Sequence, residues 1–561
     1  MKYYLYGAAI QGIQDFIFKT NELKEIAENS ETVENICTKM FDKLIAQKYN
    51  LKTDVSDEEF EKAYKKLLKE IGAEKIIAAA GNVKYIFSKL EDCEHAVMNF
   101  PRMVMTAAPG ITISQAVEVF EDSNTDFGTT VNNLEKKLRW KRNCIAPSLT
   151  AGLLGMKRDP KTGLPKFDIK TSIDTSVRTK KLRGLCKKSF GFLPEHKEIA
   201  YNIEGITDKN DWIAIIHADG NSLGQVVQKV GHKKDEYREF SVQLDQATIQ
   251  SANDAYDAVK DKFDGKEVIP IRPVVLGGDD MTVIIRGDLA IDYVTKYIKA
   301  FEENTREKIG RIIKDNNVFD DGTDCLSACA GVAFIKSSYP FYYGYDLAEA
   351  LCGEAKKVAK SGLEKNHAVK SCLMFHKVQD SFVTSYSDIV KRELCPRLKP
   401  DGSLNNPPKK EDGKPSQSPQ GENHEKPFEL FTLKFGPYYI DMQNLDKGYQ
   451  TIGWLKERAN RLDLFDGVKT GIRQWLTLLH DGNGRASQHL KRLKEINKDV
   501  EENGLKASDL IDDLTTELKR EIRSYEATGV QIKHQTSVAA EDCLTLYTIK
   551  NQETNEKDEQ K

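Results

Sequence analysis

Val274-Val275-Leu276-Gly277-Gly278-Asp279-Asp280-Met281-Thr282-Val283-Ile284-Ile285 is two apolar, β-branched runs joined by Gly-Gly-Asp-Asp. Gly277 and Gly278 supply the positive φ and close approach a tight turn needs, so the stretch reads as strand, turn, strand. Upstream, Trp212-Ile213-Ala214-Ile215-Ile216-His217-Ala218-Asp219-Gly220 reads as a strand entering an amphipathic helix that carries Leu223, Val226, Val227 and Val230. Downstream, Cys325-Leu326-Ser327-Ala328-Cys329-Ala330-Gly331-Val332-Ala333 reads as a strand carrying a serine.

The same three landmarks occur earlier in the same order: Tyr3-Tyr4-Leu5-Tyr6-Gly7-Ala8-Ala9, then Ile76-Ile77-Ala78-Ala79-Ala80-Gly81-Asn82-Val83-Lys84-Tyr85-Ile86-Phe87, then Gly110-Ile111-Thr112-Ile113-Ser114. Offsets of roughly 200–215 residues with conserved order indicate a duplicated unit. Each copy then reads βαββαβ, an antiparallel sheet with helices on one face, the ferredoxin-like arrangement. The fold class expected is α+β: two ferredoxin-like palm domains followed by a small helical domain.

Composition shifts set the boundaries. The first unit spans 1–140, a connecting segment 141–204 and the second unit 205–395. The stretch 396–428, with Pro407-Pro408-Lys409-Lys410 and Pro415-Ser416-Gln417-Ser418-Pro419, reads as a flexible linker. Residues 429–561 read as helical, from the spacings of Ile452, Leu455, Ala459, Leu462, Ile472, Trp475, Leu476 and Leu479, and again over Leu490–Ile496 and Leu510–Ile522. His480-Asp481 is a lone pair, short of the ligands a metal phosphohydrolase needs, and reads as a helix end.

The chain has 561 residues, 39% hydrophobic and 30% charged, and Lys+Arg 83 against Asp+Glu 86 leaves a net charge of -3. That excludes a polycation coating nucleic acid by bulk charge, though not a local basic groove. No apolar run approaches the ~20 residues of a membrane span, and the N-terminus lacks the pattern of a signal peptide. The ten cysteines are scattered without a Cys-x-x-Cys pair, which fits reduced thiols. A cytoplasmic protein with no membrane contact is expected.

Carboxylates distinguish the two copies. In the second, Asp219 ends the first strand and Asp279-Asp280 sits in the hairpin. In a βαββαβ sheet those strands are central neighbours, so the three acids converge at one end of the sheet. Like charges so placed repel unless a cation joins them. Mg²⁺ or Mn²⁺ suits such oxygen ligands, with phosphates of a nucleoside triphosphate completing the shell. Two ions would clamp the attacking and leaving oxygens of a phosphoryl displacement. Asp219 and Asp279 are read as bridging ligands and Asp280 as a ligand or the anchor behind them. The reaction read from them is attack of a ribose hydroxyl on the α-phosphate, with release of pyrophosphate. Gly-Gly-Asp-Asp by itself is also an ordinary turn; Asp219 in the matching position raises it above that. Lys356 and Lys360, one helical turn apart, could reach the triphosphate, while Lys357 points elsewhere. Ser327 could bond the nucleotide, or be a buried strand serine. The first copy has Ala8 and Ala9 in place of Asp219 and Ala80-Gly81-Asn82 in place of the acidic turn. It is expected to be degenerate, leaving one catalytic copy.

With Gly12-Ile13-Gln14-Asp15-Phe16-Ile17-Phe18, Ala218-Asp219-Gly220, Leu276-Gly277-Gly278-Asp279-Asp280, Ser327-Ala328, Tyr339-Pro340 and Ala355-Lys356-Lys357, the chain resembles the polymerase-like large subunit of type III CRISPR effector complexes, the cyclic-oligoadenylate synthetase family. The resemblance covers roughly residues 1–395. It implies two palms binding ATP at a shared face, metal at Asp219, Asp279 and Asp280, and Gly277 and Gly278 in the hairpin. It further implies synthesis of cyclic oligoadenylate, a messenger in antiviral defence, on activation by target RNA. Implied partners are other type III subunits with guide RNA and target RNA. There are departures from the family pattern. The palm pattern starts at Met1, so a His-Asp nuclease domain is not expected. The zinc cysteines between the palms are reduced to Cys144 and Cys186, and the usual Asp-Gly-Asp-Asn reads Asp219-Gly220-Asn221-Ser222. Two other readings stand beside this one: a catalytically silent scaffold of an RNA-guided complex, and a diguanylate-cyclase-like enzyme. Against the latter, Met281 occupies the position where such enzymes carry phenylalanine.

Overall fold

Alternating apolar residues with β-branching favour strands, and in the computed structural model four of them form the first sheet: β1 (Lys2–Gln11), β2 (Ala73–Ala79), β3 (Asn82–Phe87) and β4 (Thr112–Glu121). The structure describes residues 2–79, 81–108, 111–121, 127–144, 198–207, 211–263, 265, 268–361, 363–380, 385–396, 428–441, 448–481, 483–521 and 532–551. Most of the 141–204 segment, the linker up to residue 427, Ala80, Cys186 and the tail beyond 551 lie outside the described residues.

The sheet order is β2-β3-β1-β4, antiparallel throughout, which is the strand order of a βαββαβ unit. Its helices cover both faces rather than one. Leu5 belongs to the cluster that includes Leu134 of α3 (Phe127–Asn143), while Tyr6 stacks on Phe41 in the cluster that includes Phe100 of α2 (Leu90–Ala107). Gly7 has no side chain because Leu134 occupies that space: a Cβ there would lie 2.7 Å from its Cδ2. Gly7-Ala8-Ala9 continues the strand, and the chain turns at Gly12, whose φ is 62°. A run of helices, among them α1 (Leu23–Asn35), separates β1 from β2.

The second unit repeats the order with β5 (Trp212–Gly220), β6 (Ile271–Gly277), β7 (Asp280–Arg286) and β8 (Ala328–Lys336). The run β8-β5-β7-β6 is again antiparallel. The helices α4 (Lys234–Asp257) and α5 (Ala290–Asp315) pack on one face. On the other, α6 (Phe341–Lys360) crosses from β8 to the parallel strand β9 (Cys372–Lys377). With both faces covered, β8 is buried from Ala328 to Ile335. The molecule is α+β.

Past residue 428 the chain is not wholly helical. Helices Ile452–Arg461, Asp466–Asp481, Asn483–Ile496, Ala507–Thr515 and Ala540–Lys550 are accompanied by a three-stranded sheet of Phe428–Thr432, Ile532–Ser537 and Leu518–Glu521. Leu518–Glu521 falls within the stretch read as helix, and Phe428 within the stretch read as linker. Tyr438–Tyr439 and Gln450–Thr451 add to β9, making a seven-stranded sheet and covering an edge that would otherwise expose unpaired backbone groups. The buried Asp542 fastens this region, accepting from Phe435 N (3.1 Å), Gly436 N (3.3 Å), Tyr438 OH (2.9 Å) and Lys434 Nζ (2.6 Å). The cysteines among the described residues are all free. No helix among the described residues is long and apolar enough to cross a membrane.

Candidate functional site

The hairpin β6–β7 closes through Gly278 and Asp279, since Gly277 pairs with Asp280. Gly278 has φ 62°, which a glycine adopts at little cost. Pairing of β5 with β7 sets Asp219 opposite Asp280 as the last pair of the ladder. Gly220 N donates to Asp279 O (3.1 Å), drawing the turn over the end of β5. Gly220 must be small, because a Cβ there would lie 2.8 Å from Asp279 Cβ. One carboxylate oxygen from each of Asp219, Asp279 and Asp280 then lies within 4.8 Å of the others.

Three acids this close cannot all hold charge cheaply. Burial raises the Asp279 carboxyl, with the Asp219 charge next. Asp280 is pushed well above the usual range by burial and by Asp279 and Asp219. Lys356 of α6 meets them, its ammonium ion-paired with Asp219 and donating to Gly220 O (2.9 Å). Burial disfavours that ammonium, but the Asp219 partnership outweighs it and the net shift is upward. A further carboxylate, Glu349 on α6, is raised by burial, then by Asp346 and Asp219. One lysine against three converging carboxylates leaves the cluster short of positive charge. Hard oxygen donors at this spacing fit a divalent cation.

The other residues singled out from the sequence fall as follows. Gly277 and Gly278 form the hairpin end. Ser327 lies just before β8, its hydroxyl donating to Val369 O (2.5 Å) and accepting from Asn221 Nδ2 (3.0 Å), so it braces the loop that follows β5. Lys360 is exposed at the end of α6, and Lys357 pairs with Glu354 (2.9 Å) away from the acids. His480 and Asp481 close the helix Asp466–Asp481. Sequence reading missed Glu349 and Asn221. Asn221 stands in the Asp-Gly-Asn-Ser departure, with Nδ2 also reaching Cys329 Sγ (3.4 Å) and its buried Oδ1 without a hydrogen-bond partner. His217, beside Asp219, is held neutral: burial pushes its imidazole down to about 4, and its Nδ1 lies 3.1 Å from Thr282 Oγ1.

The first sheet repeats the ladder end without the acids. Ala9 pairs with Asn82 as Asp219 pairs with Asp280, and Ile10 N donates to Gly81 O (2.9 Å) as Gly220 N does to Asp279 O. The segment after β1 reaches the second unit instead. Phe18 stacks on Tyr345 (ring centroids 4.5 Å), and Asn21 Oδ1 accepts from Phe341 N (2.7 Å) at the start of α6.

Sheet order and converging carboxylates define a palm-type module. Residues 212–368 match the family model of Cas10/Cmr2, second palm domain, and this palm is Cas10-like. Similar solved structures include a Csm1-Csm4 cassette in complex with cA4, 14% identical, covering 63% of this chain and 53% of that one, with a TM-score of 0.39. Others are the cassette with cA3 (15%, 63%, 53%, 0.41) and with AMPPNP (14%, 63%, 53%, 0.40). The chain thus spans about half the length of the solved chains it matches. No curated protein matches it.

Proposed function

We propose that the second palm is a divalent-metal-dependent nucleotidyltransferase that converts ATP to cyclic oligoadenylate or a related nucleotide messenger, within an RNA-guided antiviral complex. The observation that carries this is the meeting of Asp219, Asp279 and Asp280 within 4.8 Å. The Cas10-like palm over residues 212–368 supports it. A ribose hydroxyl oxygen attacks the α-phosphorus, the α–β phosphoanhydride bond breaks, and pyrophosphate leaves with the bonding electrons while the hydroxyl proton is released. Mg²⁺ or Mn²⁺, held by the three aspartates, would supply Lewis-acid stabilisation of the phosphoryl charge. Lys356 fixes Asp219 and brings a positive charge beside the phosphates. Asn221 and Ser327 hold the β5 end. Gly220 and Gly278 let the hairpin close over it. The first palm contributes the Phe18 and Asn21 contacts that seat α6, and no carboxylates of its own.

The test is pyrophosphate release from ATP with Mg²⁺ or Mn²⁺, with and without guide-RNA-loaded type III subunits and target RNA. Changing Asp279 and Asp280 together to alanine is expected to lower turnover by at least about a hundredfold, since even residues behind a metal's ligands cost 10–100-fold. Turnover that persists in this double variant would remove the site assignment. Absence of product under every condition would leave a scaffold, and a cyclic guanosine product in mass spectra of reactions supplied with mixed nucleoside triphosphates, GTP among them, would turn the reading to a diguanylate-cyclase-like enzyme.

A further inference from the structure

Behind the hairpin, α4 touches the turn at both backbone groups of one residue. Asp245 Oδ1 accepts from Gly278 N (3.0 Å), and Thr248 Oγ1 donates to Gly278 O (2.6 Å). The Thr248 hydroxyl has a single proton and also lies 3.1 Å from Leu244 O within its own helix, so the shorter contact to Gly278 is favoured. Gly278 N belongs to the peptide plane of residues 277–278 and Gly278 O to that of 278–279. The two side chains thus fix both planes leading into Asp279. Gly277 leaves room for this: a Cβ there would lie 3.0 Å from Asp245 Oδ1.

Asp245 is costly where it stands. Among the described residues no lysine or arginine pairs with it, and burial holds its carboxyl above the ordinary range although the Gly278 N–H lowers it. A half-buried carboxylate spent on one backbone N–H costs the fold stability, and such a cost persists where something other than stability selects the residue.

We propose that Asp245 and Thr248 are positioning residues that set the Asp279 carboxylate at the geometry the metal requires, an inference that rests on the metal-dependent reading of Asp219, Asp279 and Asp280. They touch neither metal nor nucleotide. They act through the Gly278 peptide planes, as partners behind metal ligands commonly do.

The experiment uses the full chain and two readouts. Mn²⁺ binding is followed by electron paramagnetic resonance without nucleotide, and pyrophosphate release from ATP is followed against metal concentration. Asp245→Ala and Thr248→Val are each expected to weaken Mn²⁺ binding and raise the half-activating metal concentration by about 10-fold or more. Asp245→Asn keeps the acceptor oxygen and Thr248→Ser keeps the donor, so both are expected to stay within about threefold of the parent. A structural role alone would lower the folded fraction without moving metal affinity per folded molecule. Should Asp245→Ala fail to fold, the Thr248 pair decides: Val and Ser binding Mn²⁺ alike overturns the proposal. If the parent binds Mn²⁺ but makes no pyrophosphate even with guide-RNA-loaded subunits and target RNA, the enzymatic reading fails while the order of Mn²⁺ affinities still tests the positioning.

Discussion

Asp280 shows at the scale of one residue how function opposes stability. Burial and the Asp279 and Asp219 charges raise its carboxyl well above the usual range, so at neutral pH its ionisation is resisted by the fold. Asp280→Asn removes that strain and keeps the shape. Without divalent metal, the variant is expected to be more stable than the parent at pH 8. With Mg²⁺ the order reverses, because the parent gains binding free energy that the amide forgoes. Thermal melts in EDTA and in Mg²⁺ check both signs, and a variant less stable than the parent in EDTA sinks the account. The aspartates were legible in the sequence because each sits at local punctuation, a strand end or a glycine turn. Asp245 and Thr248 were not: they lie inside an amphipathic helix, and only the packing of that helix behind the hairpin gives them a task.

At the scale of elements, α6 must lie hard against β8 for Lys356 to reach Asp219, and Gly331 sets that distance. A Cβ there would lie 1.9 Å from Ala348 O, 2.6 Å from Cys352 N and 2.9 Å from Leu351 Cβ. Two of these are backbone atoms that cannot rotate away, so the helix must move. Gly331→Ala is expected to cost about 2–3 kcal/mol in urea melts and to part Lys356 from Asp219. Gly353, exposed on the same helix with nothing within 4 Å of its Cβ position, is the control. Gly353→Ala is expected to stabilise by about 0.5–1 kcal/mol through helix propensity. Equal effects at the two sites would remove Gly331 as the spacer. The duplicated strand order was legible because each hairpin, and each strand end that meets it, leaves a local signal. The sheet past residue 428 was not, since Phe428–Thr432 pairs in parallel with Ile532–Ser537 about a hundred residues on, and no local pattern marks such pairing.

The whole molecule depends on the seam between the palms. β6 is the edge of the large sheet, and α1 of the first palm covers it, Ser30 Oγ bonding Val274 O. Lys234 and Arg238 of α4 both pair with Glu74 of β2 (2.8 Å each). Glu34, at the end of α1, faces this seam, and burial pushes its carboxyl from 4.5 up to about 7, Asp245 adding to the rise and Lys75 opposing it. Between about pH 4.5 and 7 the folded protein therefore keeps a proton that the unfolded chain has released. Stability from this group is full below 4.5, falls as pH rises through that window, and levels off above 7. Glu34→Gln removes the titration, so the variant is expected to match the parent near pH 4.5 and exceed it by about 2–3 kcal/mol at pH 8. The difference between the two proteins isolates Glu34 from Asp279 and Asp280, whose raised carboxyls tilt both curves alike. Urea melts at half-unit steps from pH 4.5 to 8 measure it, and a difference that stays flat across the series means that the seam leaves Glu34 ionised. A seam that holds Glu34 neutral also keeps one more negative charge away from Asp245, where the second palm fixes its hairpin.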